Sequence, residues 1–136
     1  MHIVTVRQPW ASLIAVGEKT VENRPWSSTY RGDIAVHAGL TDDVVAMSSP
    51  DVVEAMAEHS LSPLDLPRGH VVAVAALYDV HAAEDRGRCC APWGQADRQH
   101  LLLRDVRPLR HPCPATGQLG LRGIARELED TIRACL

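Results

Sequence analysis

The sequence contains no phenylalanine and only one lysine. Three tryptophans and two tyrosines carry all of its aromatic surface, so the core has to be built from Val, Leu, Ile and Ala. No apolar run approaches the roughly 20 residues of a membrane span. The first residues, Met1 to Arg7, lack the basic head and long apolar stretch of a signal peptide. A cytoplasmic protein that does not associate with membranes is the expectation. Positive charge is scarce as well: 14 Lys plus Arg stand against 17 Asp plus Glu, a net charge of -3. That balance argues against a broad phosphate-neutralising surface for duplex nucleic acid, and leaves room for a local pocket that recognises one base or nucleoside. The four cysteines, Cys89, Cys90, Cys113 and Cys135, show no C-x-x-C spacing. Cys89-Cys90 with His111-Pro112-Cys113 offers thiolate and imidazole groups to zinc, but the spacing is irregular and reduced structural thiols are the preferred reading. No metal and no cofactor are expected.

What is present suits an ordinary globular chain. At 136 residues, 46% hydrophobic and 23% charged, it fits one domain spanning residues 1–136. Residues 2–6 read as a first strand, and Pro9 suits the start of a helix that runs to about Val16 with Trp10, Leu13 and Ile14 on one face. The open N–H groups of that first turn could receive a phosphate or carbonyl, with Arg7 and Gln8 beside them. Residues 25–32 form a loop holding Trp26, Tyr30 and Arg31, planar groups of the kind that stack on bases or that lid a core. Residues 33–38 are a strand with His37 on its less apolar face, where it serves as a structural hydrogen-bonder or a proton-transfer group.

Further on, Asp42 and Asp43 open a capped helical turn, and Ser49-Pro50 opens a helix to about His59. Residues 71–77 are apolar without alternation and predict a strand covered on both faces. Residues 82–98 form a loop long enough to suggest function or mobility. A strand over residues 100–106, a Pro/Gly-rich turn over 112–121 flanking a short strand, and a helix over 124–136 complete the chain.

The stretch Gly17-Glu18-Lys19-Thr20-Val21-Glu22-Asn23-Arg24 stands out. Gly17 stops the helix and residues 20–24 alternate as a strand, so Lys19, Glu22 and Arg24 gather where the two meet. The solitary Lys19 is either a surface cation or an ammonium with a task arginine cannot perform. In a regular strand Thr20, Glu22 and Arg24 share a face and Lys19 points away. For Lys19 and Glu22 to converge, Lys19 must lie in the turn after Gly17. Such a cluster suits recognition, with Glu22 accepting from an exocyclic amine and Lys19 and Arg24 donating to a base carbonyl or phosphate.

Taken in order, Val6-Arg7-Gln8-Pro9-Trp10-Ala11, the G-x-K-x-x-E-x-R spelling at Gly17 to Arg24, Tyr30-Arg31-Gly32, Ile34-Ala35-Val36-His37-Ala38 and Val106-Arg107-Pro108-Leu109 resemble the ASCH domain family. The resemblance implies an α+β, PUA-like fold: a small β-barrel of mixed strands with flanking helices and a cleft beside the first helix. It also implies a partner that is RNA or a modified nucleoside. Some members resemble amidohydrolases that remove an acetyl group from cytidine, and others have been described as ribonucleases. Gly17, Lys19, Glu22 and Arg24 fall on the family motif, and Arg7, Gln8 and Pro9 on the start of its first helix. In the deacetylating relatives the position of Glu22 is a threonine, so their lysine-activated hydroxyl is missing here. Relatives often carry an aromatic at the position of Leu101 and a tryptophan at that of Arg122.

Two functions follow as expectations. One is a binding module for RNA or a modified nucleoside or nucleotide, its ligand met by Arg7, Gln8, Pro9, Trp10, Lys19, Glu22, Arg24, Trp26, Tyr30 and His37. The other is a hydrolase of nucleic acid or nucleosides, in which Lys19 or Glu22 is catalytic.

Overall fold

The computed structural model describes residues 1–136. Its elements run β1 (His2–Gln8), α1 (Trp10–Ala15), β2 (Val21–Arg24), β3 (Gly32–Asp42), α2 (Val44–Met47), α3 (Pro50–Glu58), β4 (His70–Ala82), β5 (Gln99–Pro114), β6 (Leu121–Gly123) and α4 (Arg126–Ala134), with short 3-10 turns at Pro63–Asp65 and Asp85–Cys90. The class is mixed α+β. The six strands form one sheet in the order β2-β5-β4-β3-β1-β6. β1 and β3 are parallel, joined through α1 and β2, and the other pairs are antiparallel.

The barrel expected from the family resemblance is not closed by a backbone ladder. β2 and β6 are the two edges and no pairing joins them. The sheet curls far enough for the Arg24 guanidinium, on edge strand β2, to donate to the backbone carbonyl of Thr5 in β1. β2 is only four residues long, and a side chain makes the contact that further strand pairs would make in a closed barrel.

Strand alternation sorts the apolar residues into layers. Val4, Val6, Ile34, Val36, Ala73, Ala75, Leu77, Leu101 and Leu103 join Ala11 and Ile14 of α1 in one cluster. Ile3, Ala35, Val71 and Val74, offset by one residue, enter a second cluster beneath Ile132 of α4. The switch of phase between Val71 and Ala73 falls on a register shift in the β4–β5 ladder. A third cluster packs Leu13 of α1 against Ala46, Val52, Ala55 and Met56 of α2 and α3. α1 is thus apolar nearly all round, with Ala11, Leu13 and Ile14 fully buried. The doubly covered strand expected over residues 71–77 is observed in β4.

The strands are longer than sequence patterning suggests. β5 continues through Pro108, Pro112 and Pro114, residues that ordinarily end a strand. Beyond Leu102 it has β4 on one side only, so a missing N–H on its free side breaks no ladder. No helix is long and apolar enough to cross a membrane.

Ile132 is the one fully buried side chain of α4 and fastens it to the second cluster. Ile132→Ala is expected to lower stability by about 2–5 kcal/mol. Exposed Glu127→Ala on the same helix should change it by less than about 0.5 kcal/mol. Urea unfolding followed by circular dichroism measures both.

Candidate functional site

Gly17, with φ of +82°, ends α1 in the left-handed conformation available to glycine. The chain then turns back, and the N–H groups of Glu18 and Lys19 both donate to the carbonyl of Leu13, at 3.0 Å each. Lys19 therefore lies in the turn, outside β2, which is the condition for meeting Glu22. Its ammonium donates to Glu22 Oε1 at 2.7 Å, and Arg24 Nε donates to Glu22 Oε2 at 2.9 Å. Glu22 and Arg24 are two apart in β2 and share its face, as the strand period requires.

This triad is largely withdrawn from water, with Lys19 2% and Glu22 6% exposed. Burial alone would raise the Glu22 carboxyl, but the charges and hydrogen bonds of Lys19 and Arg24 outweigh it and hold the group below its ordinary value. The Lys19 ammonium also sits 5.3 Å from the Trp10 ring centre, and the Arg24 guanidinium 5.8 Å from that of Trp26.

The triad forms the floor of a cleft of about 320 Å³. Its walls come from three places. β1 gives Thr5, Val6 and Arg7, and α1 gives Trp10, whose indole N–H donates to Asp43 Oδ2 at 2.9 Å. Asp43 caps α2 by accepting from the Ala46 N–H, and the Trp10 bond is the main cause of its lowered pKa. The long loop after β4 supplies Trp93, Gln95 and Arg98. Asn23 fastens that loop: its amide donates to the Trp93 carbonyl at 2.9 Å, and its Oδ1 accepts from the Gln95 N–H at 2.8 Å. Trp93 packs edge-on against Trp10 at 5.7 Å, and its own indole N–H is buried without an acceptor.

Of the residues singled out in the sequence, the fold brings Arg7, Trp10, Lys19, Glu22 and Arg24 together around this cleft. Trp26 lies just beyond, against Arg24. The other four stand elsewhere. Gln8 is fully buried and spends its amide internally, donating to Ser12 Oγ and the Pro67 carbonyl while accepting from the Ser12 N–H. That last bond occupies an open N–H of the first turn of α1, the turn suggested by sequence as a phosphate site. Pro9 is buried and precedes the helix. Tyr30 stacks on His2 at 3.6 Å and donates its hydroxyl to the Asp33 carbonyl. His37 is buried between Thr5 Oγ1 and the Ala115 carbonyl and faces a different cavity, lined by Leu40, Gly69 and Gly117. Asp43, Trp93, Gln95 and Arg98 were not singled out, since only tertiary folding of the long loop and α2 brings them to Glu22. Asn23, next to Glu22 in β2, was not singled out because its partners lie on that distant loop. The length of that loop was the one local signal.

Glu22 links the cleft to acid stability. Its folded pKa lies below its unfolded value, so its contribution is complete above the unfolded carboxyl range and is lost as pH falls through the folded pKa. Glu22→Gln is expected to flatten the acid limb of the stability profile below about pH 5. Lys19→Ala, which leaves buried Glu22 with Arg24 as its only cation and Oε1 without its donor, should cost about 1–3 kcal/mol at neutral pH. Urea midpoints measured across this pH range give both values.

Comparison with known proteins bears on the family and the fold. A family model described as the ASCH domain matches residues 4–118. No curated protein matches the chain in sequence. Among solved structures, that of ASCH from Zymomonas mobilis is 16% identical, with a TM-score of 0.64 over 98% of this chain and 93% of that one. A tyrosine-to-phenylalanine variant of the Zymomonas mobilis protein is 15% identical with a TM-score of 0.59, covering 98% of this chain and 96% of its own. A serine-to-alanine variant gives 16% and 0.60, covering 98% and 94%. At such identities the likeness establishes a shared fold.

Proposed function

Because the chain belongs to the ASCH domain family, we propose that it binds RNA or a modified nucleoside in the cleft floored by Lys19, Glu22 and Arg24. The observation that carries this reading is the contrast of charge. Arg7, Lys19, Arg24 and Arg98 line the cleft against only Glu22 and Asp43, so it is positive in a chain whose net charge is -3. At about 320 Å³ it suits one base or nucleotide, at the small end of ligand pockets. The indoles of Trp10 and Trp93 offer stacking surface, and Arg7 and Arg98 are exposed, where a phosphate would approach.

Roles divide by depth. Glu22 has lone pairs beyond the two that Lys19 and Arg24 occupy, and these accept from an exocyclic amine of a base. The rim arginines hold the backbone. Binding is favoured over hydrolysis because Lys19 makes its one side-chain hydrogen bond to Glu22, and no hydroxyl is bonded to it for activation.

Titration with short single-stranded RNAs and a panel of modified nucleosides tests the reading. Arg98→Ala is expected to weaken RNA binding across sequences and to lower the salt slope by about 1. Trp10→Leu should cost about 1–3 kcal/mol of binding. Absence of saturable binding to every member of both panels would overturn the proposal. Product release that collapses in Glu22→Gln would replace it with the hydrolase.

A further inference from the structure

The loop that walls the cleft carries a second group of side chains on its other side. Cys89 and Cys90 lie in the 3-10 turn at Asp85–Cys90, and His81 and His100 face each other across the β4–β5 ladder. One ligand atom from each of the four lies within 4.8 Å of the others. Cys89 Sγ is 3.6 Å from His100 Nδ1, and Cys90 Sγ is 3.5 Å from His81 Nε2. A tetrahedral zinc with Zn–S of about 2.3 Å and Zn–N of about 2.0 Å has S···N edges of roughly 3.5 Å. No other pair has to close by more than about 1.5 Å to reach its own edge.

The hydrogen bonds around the group decide which nitrogens are free. His81 Nδ1 is 2.8 Å from the Ala82 carbonyl, and His100 Nε2 is 2.8 Å from the Gln95 carbonyl. A carbonyl oxygen only accepts, so these two nitrogens carry the protons. In each neutral ring the remaining lone pair belongs to the nitrogen that faces the thiols. A backbone carbonyl fixing the far side of each imidazole is the outer-sphere arrangement of metal-binding histidines. Cys89 Sγ in turn accepts from the Glu84 N–H at 3.3 Å, which holds the sulfur in place beside His100.

The loop backbone also approaches the group closely. A Cβ at Gly94 would come within 2.9 Å of both Cys90 Cβ and His100 Cε1, and within 2.5 Å of the Gly87 carbonyl oxygen. Gly87 itself has φ of +86°. Two glycines thus let the backbone approach where any side chain would push the thiols away from the imidazoles.

We propose that His81, Cys89, Cys90 and His100 form a closed, four-coordinate zinc site that staples residues 85–98 to the β4–β5 hairpin. The nitrogen and sulfur donor set in tetrahedral array suits zinc, and four protein ligands leave no open position, as in structural sites. The set weighed from sequence and set aside there, Cys89 and Cys90 with His111 and Cys113, does not assemble, because Cys113 is buried in the cluster beneath α4, at the far end of β5 from His100. The site stands independently of what the cleft binds, although Trp93, Gln95 and Arg98 lie on the same loop.

The test uses the full chain. Purified with zinc and dialysed against metal-free buffer, it is expected to retain one zinc per chain by elemental mass spectrometry. Cobalt in place of zinc should give tetrahedral d–d bands and a thiolate-to-cobalt charge-transfer band. Cys89→Ser/Cys90→Ser should abolish that band. His81→Asn should weaken zinc by more than about 100-fold, beyond the 10–100-fold that losing an outer-sphere partner costs. Cys135→Ser and His111→Ala should leave zinc content unchanged. A chelator should lower the thermal midpoint of the wild-type chain, a readout that requires no variant to fold. Failure of the wild type to retain zinc, or a cobalt spectrum without the thiolate band, would overturn the site.

Discussion

The Glu22 carboxylate, held between Lys19 and Arg24, is the contact on which the arrangement of the cleft depends. Three segments meet at it: the turn after α1 through Lys19, the edge strand β2, and β1 through the bond from Arg24 to the Thr5 carbonyl. Each charge needs the others. A buried carboxylate with no cation would be costly, and the same holds for a buried ammonium. Replacing all three by apolar groups would keep the layers together but would no longer specify where the end of α1 sits relative to β2. The triad thus contributes more to the position of the parts than to their cohesion, which comes from the three apolar clusters.

Much of this was legible in the residues. The β-branched residues of β1, the two-residue alternation in β3, the unbroken apolar run of β4 and the spacing of α4 each predict the element that forms. Gly17 gives the helix stop, and the strand period gives the condition under which Lys19 meets Glu22. What stayed hidden depends on partners distant in the chain. The extension of β5 through its prolines follows from which side of the strand is unpaired, a fact of topology. His37 looked like a group facing away from the core because its strand alternates. The segment around Ala115, some 80 residues later, covers it. Tyr30, placed by composition in a stacking loop, finds His2 instead.

The long loop after β4 explains why site residues were missed. Loops have no periodicity from which to read direction, so Trp93, Gln95 and Arg98 show nothing of their facing until Asn23 fixes the backbone on which they stand. The register that sets His81 opposite His100 is equally invisible locally, since cross-strand pairing joins residues without sequence spacing of their own. One loop therefore forms part of the charged cleft and also carries the two thiols that face His81 and His100.

The free side of β5 has a consequence for how the molecule behaves in company. A long strand with one unpaired side is ordinarily a template on which another chain can add a strand. Here the Leu103 N–H already donates to the Thr20 carbonyl, the Arg110 N–H donates to the Cys135 carbonyl at the end of α4, and Pro108, Pro112 and Pro114 have no N–H at all. Arg107 is turned to Asp33 and Arg104 to its neighbour Asp105, so these side chains are held by partners of this chain. With those N–H groups spent or missing, this side of β5 is a poor template for edge pairing with a second copy.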